Sequence, residues 1–180
     1  RQRDGTPLMD SKGRTTSHLS GLFHRSANLM QKGIKLCYIF DGEPPDLKYR
    51  TQQMRRERKE KAFEKYNKAK EKEDIESMHK YSKQVTYLNN EMVIESKELI
   101  KALGLPVIQS PSESDAQGSF MVEKKDLDYF ATSDADALMH GCPRVIPNLT
   151  LSQTRNLPGG KFVYIKPYVI ELKDVLNHLD

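Results

Sequence analysis

Cysteine is scarce. Two stand in the 180 residues, Cys37 and Cys142, far apart and in no CxxC pair. That argues against a thiolate zinc site and against a disulfide scaffold, and it suits a reducing, intracellular compartment. Long apolar runs are missing too, so no stretch approaches a membrane span and no membrane partner is expected. No secretory leader is visible. There is no internal repeat. No initiator Met is present either, and the chain opens on the turn-like "RQRDGTPLMD". From this we expect the natural N-terminus to lie upstream. Charge of one sign is not in large excess: the net charge is +4 and the pI about 8.9. The distribution of charge therefore matters more than its sum.

What is present is one domain's worth of chain, or a large part of one, long enough for a real core. Residues 4–14 are rich in Asp, Gly, Pro and Lys and read as a turn or short hairpin. Thr15 to Gln31 has helical periodicity, with Leu19, Leu22, Phe23 and Met30 as its apolar stripe and Gly33 as its stop. "KLCYIF" (35–40) reads as a buried strand, broken by "DGEPP". Asp46 to about Gln84 is helix-forming but thinly apolar and highly charged. A core-packed helix with Met92, Leu99, Ile100 and Leu103 follows, ending at Gly104. "LPVIQ" (105–109) reads as a second strand, then a helix to about Lys125. "LDYFAT" (127–132) reads as a third strand, and "SDADALMHG" as a short helix. "RVIPNL" and "FVYI" read as strands around the loop "RNLPGG", and Pro167 as the start of a last helix to Leu179. Strands alternating with helices predict an α/β fold: a mixed, mostly parallel sheet flanked by helices, with a helical insertion.

Acids fall at the strand ends. Asp41 follows the first strand, Glu113 and Asp115 the second, Asp134 and Asp136 the third. In open α/β sheets, sites form at the carboxyl ends of parallel strands. Five ionised carboxylates in one place need cations, since like charges raise each other's pKa. Mg²⁺, which takes oxygen ligands, meets that need, and a pair of such ions is the usual clamp for phosphodiester hydrolysis. Each acid also has a plainer explanation. A lone Asp after a strand is more often a turn residue. In "SPSESDAQ", Ser112 makes a good N-cap, with Asp115 three residues on as in a capping box. Ser133 and Asp134 make another cap.

Between Lys48 and Lys61 there are seven Lys or Arg and two Glu. Lys48, Arg55 and Arg58 or Lys59 share one helix face by spacing. The alternatives are a solvated surface helix or a surface for a phosphate backbone. Tyr49, Phe63 and Tyr66 suit packing against the next helix better than stacking on bases.

The segments "TTSHLSGLFHR", "GIKLCYIFDGEPPDLK", "GLPVIQSPSESDAQ", "TSDADALMHG" and "NLTLSQTRNLPG" stand in order along the chain. Together they resemble the flap endonuclease family of structure-specific 5′ nucleases, its archaeal members above all. The resemblance runs through essentially all of the chain. It implies one nuclease domain, incomplete at both ends: core segments at 1–45 and 93–180, and a helical arch at 46–92. It implies two Mg²⁺ ions, with Mn²⁺ as a substitute, and hydrolysis of branched DNA with a 5′ flap during replication and repair. By motif, Asp41, Glu113, Asp115, Asp134 and Asp136 match metal-site acids, with Asp41, Glu113 and Asp134 counted as catalytic. Lys48 and Arg55 match catalytic basic residues facing the scissile phosphate. Arg1, Arg25, Arg58, Lys59 and Glu113 join them as expected DNA contacts. The second acid of the pair is usually Glu in the family. The shorter Asp115 predicts contact with metal through water. The family's N-terminal strand, helix-hairpin-helix and C-terminal segment for a sliding clamp are not found within 1–180. The resemblance therefore implies a piece of a longer protein, poorly active by itself. Two rivals remain at this level: a catalytically incomplete nucleic-acid-binding module, and a single-strand-specific ribonuclease with a similar acidic site.

Overall fold

The computed structural model describes residues 7–72, 74–82, 89–149, 154–156, 162–164 and 166–179. They form two compact units: residues up to Leu36 with Pro45–Pro106, and Cys37–Pro44 with Val107 onward.

The first unit is helical. Its first described residues form a tight turn in which Met9 and Thr15 make an antiparallel bridge. The Asp10 carboxylate organises that turn, accepting the backbone N–H groups of Lys12 and Arg14 and the Arg14 guanidinium Nε–H, at 2.9, 2.9 and 2.8 Å. Those bonds from Arg14 lower the Asp10 pKa. Helix α1 (Ser17–Gln31) follows and stops before Gly33, whose φ of +78° suits a residue without Cβ. Helix α4 (Asn90–Ala102) packs on α1. Its N-cap is Asn89, whose side chain accepts the Met92 N–H at 2.7 Å. The buried residues on the two helices are Ser26 and Leu29 on α1, and Ser96 and Ile100 on α4. Each serine satisfies its hydroxyl within its own helix, Ser26 on the Leu22 carbonyl and Ser96 on the Met92 carbonyl. His18 Nε2 and Glu95 Oε2 meet across the pair at 2.8 Å.

The apolar stripe of α1 differs from the sequence expectation. Phe23 and Met30 are exposed, whereas Leu29 is 4% exposed. One position of helical phase separates Leu29 from Met30, and contact with α4 selects between them. After a 3-10 turn (Asp46–Lys48) come α2 (Tyr49–Glu71) and α3 (Ile75–Ser82), which pack together. Among the described side chains of α2, Ala62 and Ala69 are buried. Tyr49 and Phe63 are 72% and 52% exposed, so neither is buried against the next helix as expected.

The second unit is α/β. Strands β1 (Tyr38–Phe40) and β2 (Val107–Gln109) pair in parallel, with Phe40 opposite Gln109. Helix α5 (Ser114–Glu123) packs on β1, and the short α6 (Asp136–Met139) packs on α5. Val122, Ala137, Cys142 and Val145 form the core, with Leu127, Phe130 and Leu138 against it. Gly118 lies flat under Phe130: a Cβ there would meet the ring at 2.5 Å.

The third strand expected at 127–132 is reduced to one parallel bridge, Phe130 with Val145. Phe130 packs its ring against the core and its backbone bonds both Arg144 and Ile146, and among the described residues the ladder extends no further. The expected "RVIPNL" strand shrinks to β3 (Arg144–Val145). A hairpin of β4 (Thr154–Asn156) and β5 (Phe162–Tyr164) is antiparallel, so Arg155 and Asn156 belong to a strand rather than to the expected loop. Pro167 does not begin the last helix. β6 (Ile170–Glu171) pairs antiparallel with β3 first, and α7 (Leu172–Asn177) starts after it. Strand pairing here outweighs the local fitness of proline for a helix start.

Candidate active site

The expected acids all belong to the second unit. Their placement starts at the end of β1. Asp41 is the first residue past the strand, and its Oδ1 accepts the Ser114 N–H at 2.8 Å. A carboxylate in that position both satisfies a first-turn donor of α5 and meets the positive end of the helix. This overturns the expected capping box. The N-cap residue of α5 is Glu113, in extended conformation and with no side-chain cap bond, rather than Ser112. The cap oxygen comes from Asp41, 73 residues earlier.

The loop after β1 is sewn to the loop after β2. Ser110 N–H donates to the Phe40 carbonyl at 2.9 Å, and Gly42 N–H to the Ser112 carbonyl at 2.5 Å. Gly42 has no room for a side chain: a Cβ would overlap the Ser110 carbonyl and lie 2.6 Å from that of Pro111. Gln109 Nε2 donates to the Asp41 carbonyl at 2.7 Å. These bonds bring Asp41 beside the first turn of α5, where Glu113 and Asp115 stand half-buried.

The other acids follow Phe130. Thr132 Oγ1 accepts the Asp134 N–H at 3.1 Å, and Asp134 Oδ1 accepts the Asp136 N–H at 3.1 Å, turning the chain into α6. Asp134 and Asp136 are exposed. Asp115 feels all of this. Burial pushes its pKa up, the Asp134 charge adds to that, and Asp41 and Asp136 contribute further, against a lowering hydrogen bond from the Thr132 hydroxyl.

Four acids thus share one electrostatic neighbourhood, with Asp115 at its half-buried centre. Among the described residues, no three His, Cys, Asp or Glu side chains form a ready-made metal cluster. Asp41 and Asp134 each commit one oxygen to a backbone N–H instead. The donor set nevertheless fits a hard divalent cation. It is all carboxylate, and its central member is held against its own ionisation by burial and like charge. Gln109, Gly42 and Thr132 were not singled out from sequence. "FDG" signals a turn but not that Gly42 is pressed against a second loop.

The basic residues belong to the first unit. Lys48 ends the 3-10 turn, and Arg55 and Arg58 are exposed on α2. Arg25 is exposed on α1. Arg1 lies outside the described residues, as does the side chain of Lys59. Neighbouring charges on α2 are partly paired: Arg56 Nε lies 3.2 Å from Glu60, both well exposed. No helix among the described residues is long and apolar enough to cross a membrane.

Residues 1–62 match the XPG N-terminal domain and residues 104–180 the XPG I-region. Flap endonuclease 1 of Thermococcus onnurineus is 49% identical over 180 residues, a match covering 99% of this chain and 53% of the relative. The structure of flap endonuclease-1 from Methanococcus jannaschii superposes with a TM-score of 0.67 at 42% identity, over 99% of this chain and 53% of that one. The catalytic core of Rad2 in complex with DNA substrate superposes at 0.63 and 22% identity, over 96% and 44%, a likeness of fold. The chain spans about half the length of the relatives it matches.

Proposed function

Because the chain belongs to the flap endonuclease family, we propose that it carries the acidic centre and basic helix of a nuclease that hydrolyses DNA at 5′ flaps. The observation that carries this reading is Asp115, half-buried, with Asp134, Asp41 and Asp136 as its charged neighbours. A protein keeps such a centre when a cation completes it.

Asp41, Glu113, Asp115, Asp134 and Asp136 would hold two Mg²⁺ ions, with Mn²⁺ as substitute. When bound, such ions make a water nucleophilic at neutral pH and offset charge on attacking and leaving oxygens. The protein's part is orientation. Ser114 N–H fixes Asp41, the Asp136 N–H fixes Asp134, and the Thr132 hydroxyl bonds to Asp115. Lys48 and Arg55 would meet the scissile phosphate, where a preorganised cation helps most as negative charge develops. Arg1, Arg25, Arg58 and Lys59 would neutralise neighbouring phosphates and set affinity and salt dependence. In the natural protein this activity would serve DNA replication and repair inside the cell, with a sliding clamp as a partner.

The test is cleavage of a labelled 5′-flap DNA by the natural protein that carries this chain, with Mg²⁺ and with EDTA. Flap cutting that needs Mg²⁺ and spares linear single strands is the expected result. Equal cutting in EDTA, or equal cutting of a linear strand, would overturn it. Flap binding without cutting would favour the rival non-catalytic module.

A further inference from the structure

We propose that Gln109 is a positioning residue for Asp41, strapping the end of β1 so that the Asp41 carboxylate stays on the first turn of α5. The proposal rests on reading Asp41 as part of the nuclease site. Gln109 is the last residue of β2 and pairs with Phe40, the last residue of β1. Past that pair the ladder ends, and the Asp41 carbonyl has no strand partner of its own. The Gln109 side chain takes over: Nε2 lies 2.7 Å from the Asp41 carbonyl, and 3.4 Å from those of Phe40 and Ser110.

Three carbonyl oxygens around one atom can be answered only by a donor, so the amide nitrogen, not its oxygen, faces them. The bond to Asp41 is the short one, and it fixes the peptide plane between Asp41 and Gly42. That same peptide supplies the Gly42 N–H bonded to the Ser112 carbonyl. On the other side of the Asp41 Cα, the carboxylate caps Ser114. Rotation of this peptide would break the Gln109 and Ser112 bonds together and release the loop that carries the Asp41 Cα, and with it the carboxylate. Gly42, having no Cβ, offers little torsional resistance to that rotation. The strap therefore falls to the Gln109 side chain, the one side chain among the described contacts that bonds the Asp41 carbonyl.

Gln109→Met tests this, since it keeps length and removes the donor. Gln109 is exposed, so the substitution leaves the core untouched. In metal-free protein, amide exchange at Gly42 and Ser114 should quicken on the order of tenfold, while amides in the middle of α5 stay unchanged. Mn²⁺ binding without DNA, followed by electron paramagnetic resonance, should weaken several-fold. Single-turnover cleavage at saturating enzyme should slow by roughly tenfold with flap affinity nearly constant. Unchanged exchange at Gly42 and Ser114 would overturn the strap. Quickened exchange with Mn²⁺ affinity and cleavage at wild-type levels would overturn its role in the site. A wild-type protein that neither binds Mn²⁺ nor cuts flaps would instead sink the nuclease reading, with the exchange data still deciding whether Gln109 holds Asp41.

Discussion

Asp41 and Ser114 are 73 residues apart in sequence and joined by a 2.8 Å bond from the Ser114 N–H to the Asp41 carboxylate. One side chain thus serves as helix cap and as a candidate metal donor. The two roles separate by substitution. Asp41→Asn keeps a cap oxygen and loses the charge, whereas Asp41→Ala loses both. We expect Ala to cost about 1 kcal/mol of stability, the usual value of a cap, and Asn only a few tenths. Both should abolish flap cleavage. Thermal melts and a flap assay on the two variants check this, and a stable Asn variant with full activity would remove Asp41 from the chemistry.

The raised pKa of Asp115 gives a pH dependence with a definite sign. A carboxyl whose folded pKa lies above its unfolded value binds more protons when folded. Its contribution to stability is then fully present below the unfolded pKa, and is lost as pH rises through the folded one. At neutral pH without metal, the Asp115 charge is a burden, with burial first and the Asp134 charge second among the causes. Asp115→Asn should therefore raise the Tm at pH 7 in EDTA, and this gain should vanish below the ordinary carboxylate range. Added Mg²⁺ should reverse the order by stabilising the wild type more. Melts across pH, with and without Mg²⁺, read both effects.

Local patterns foretold α1 and α4 well, because helix periodicity and stops are written in neighbouring residues: α1 stops before Gly33 and α4 before Gly104, as the sequence suggests. The placing of Asp41 after β1 and of Glu113 and Asp115 after β2 was legible for the same reason, whereas Asp134 and Asp136 follow a single bridge at Phe130 rather than the expected strand. What was not legible depends on a distant partner. Ser112 has every local qualification for an N-cap, yet α5 takes its cap oxygen from Asp41, which only the β1–β2 pairing brings near. The segment 127–132 has strand composition, but Phe130 finds a single bridging partner. Leu29 rather than Met30 is buried because α4, not α1, decides the facing side. Gln109 carries no local signal at all, since its role is a side-chain bond to a backbone group 68 residues away.

Gly42 is a steric constraint that can be measured. A Cβ there would overlap the Ser110 carbonyl and crowd that of Pro111 at 2.6 Å, both backbone atoms. Backbone cannot swing aside as a flexible side chain can, so Gly42→Ala must push the two loops apart. The expected cost is on the order of 1–3 kcal/mol, typical of overpacking. The loss should appear in denaturant melts, together with faster exchange of the Ser114 amide. A variant as stable as wild type would mean that the loops separate freely.

Asp134 and Arg55 should fail in different ways, and the contrast tests how the reaction is shared between the acidic centre and the basic helix. Asp134 Oδ1 holds the Asp136 N–H, and its charge is the largest carboxylate influence on Asp115. Asp134→Asn keeps an oxygen for that N–H and removes the charge, so the turn into α6 should survive while the site loses a donor. Flap cleavage should then disappear with flap affinity nearly unchanged, because an acid contributes nothing favourable to a phosphate backbone. Arg55 is exposed on α2. If its cation acts on charge developing at the phosphate, Arg55→Ala should slow single-turnover cleavage by about tenfold or more at saturating enzyme, with a smaller change in binding. If it only positions the strand, affinity and the salt slope should fall while the saturated rate holds. Measuring both quantities for both variants at two salt concentrations separates these cases. A lost saturated rate for Asp134→Asn beside a purely salt-dependent loss for Arg55→Ala would confine the chemistry to the carboxylates and leave the helix as a binding surface.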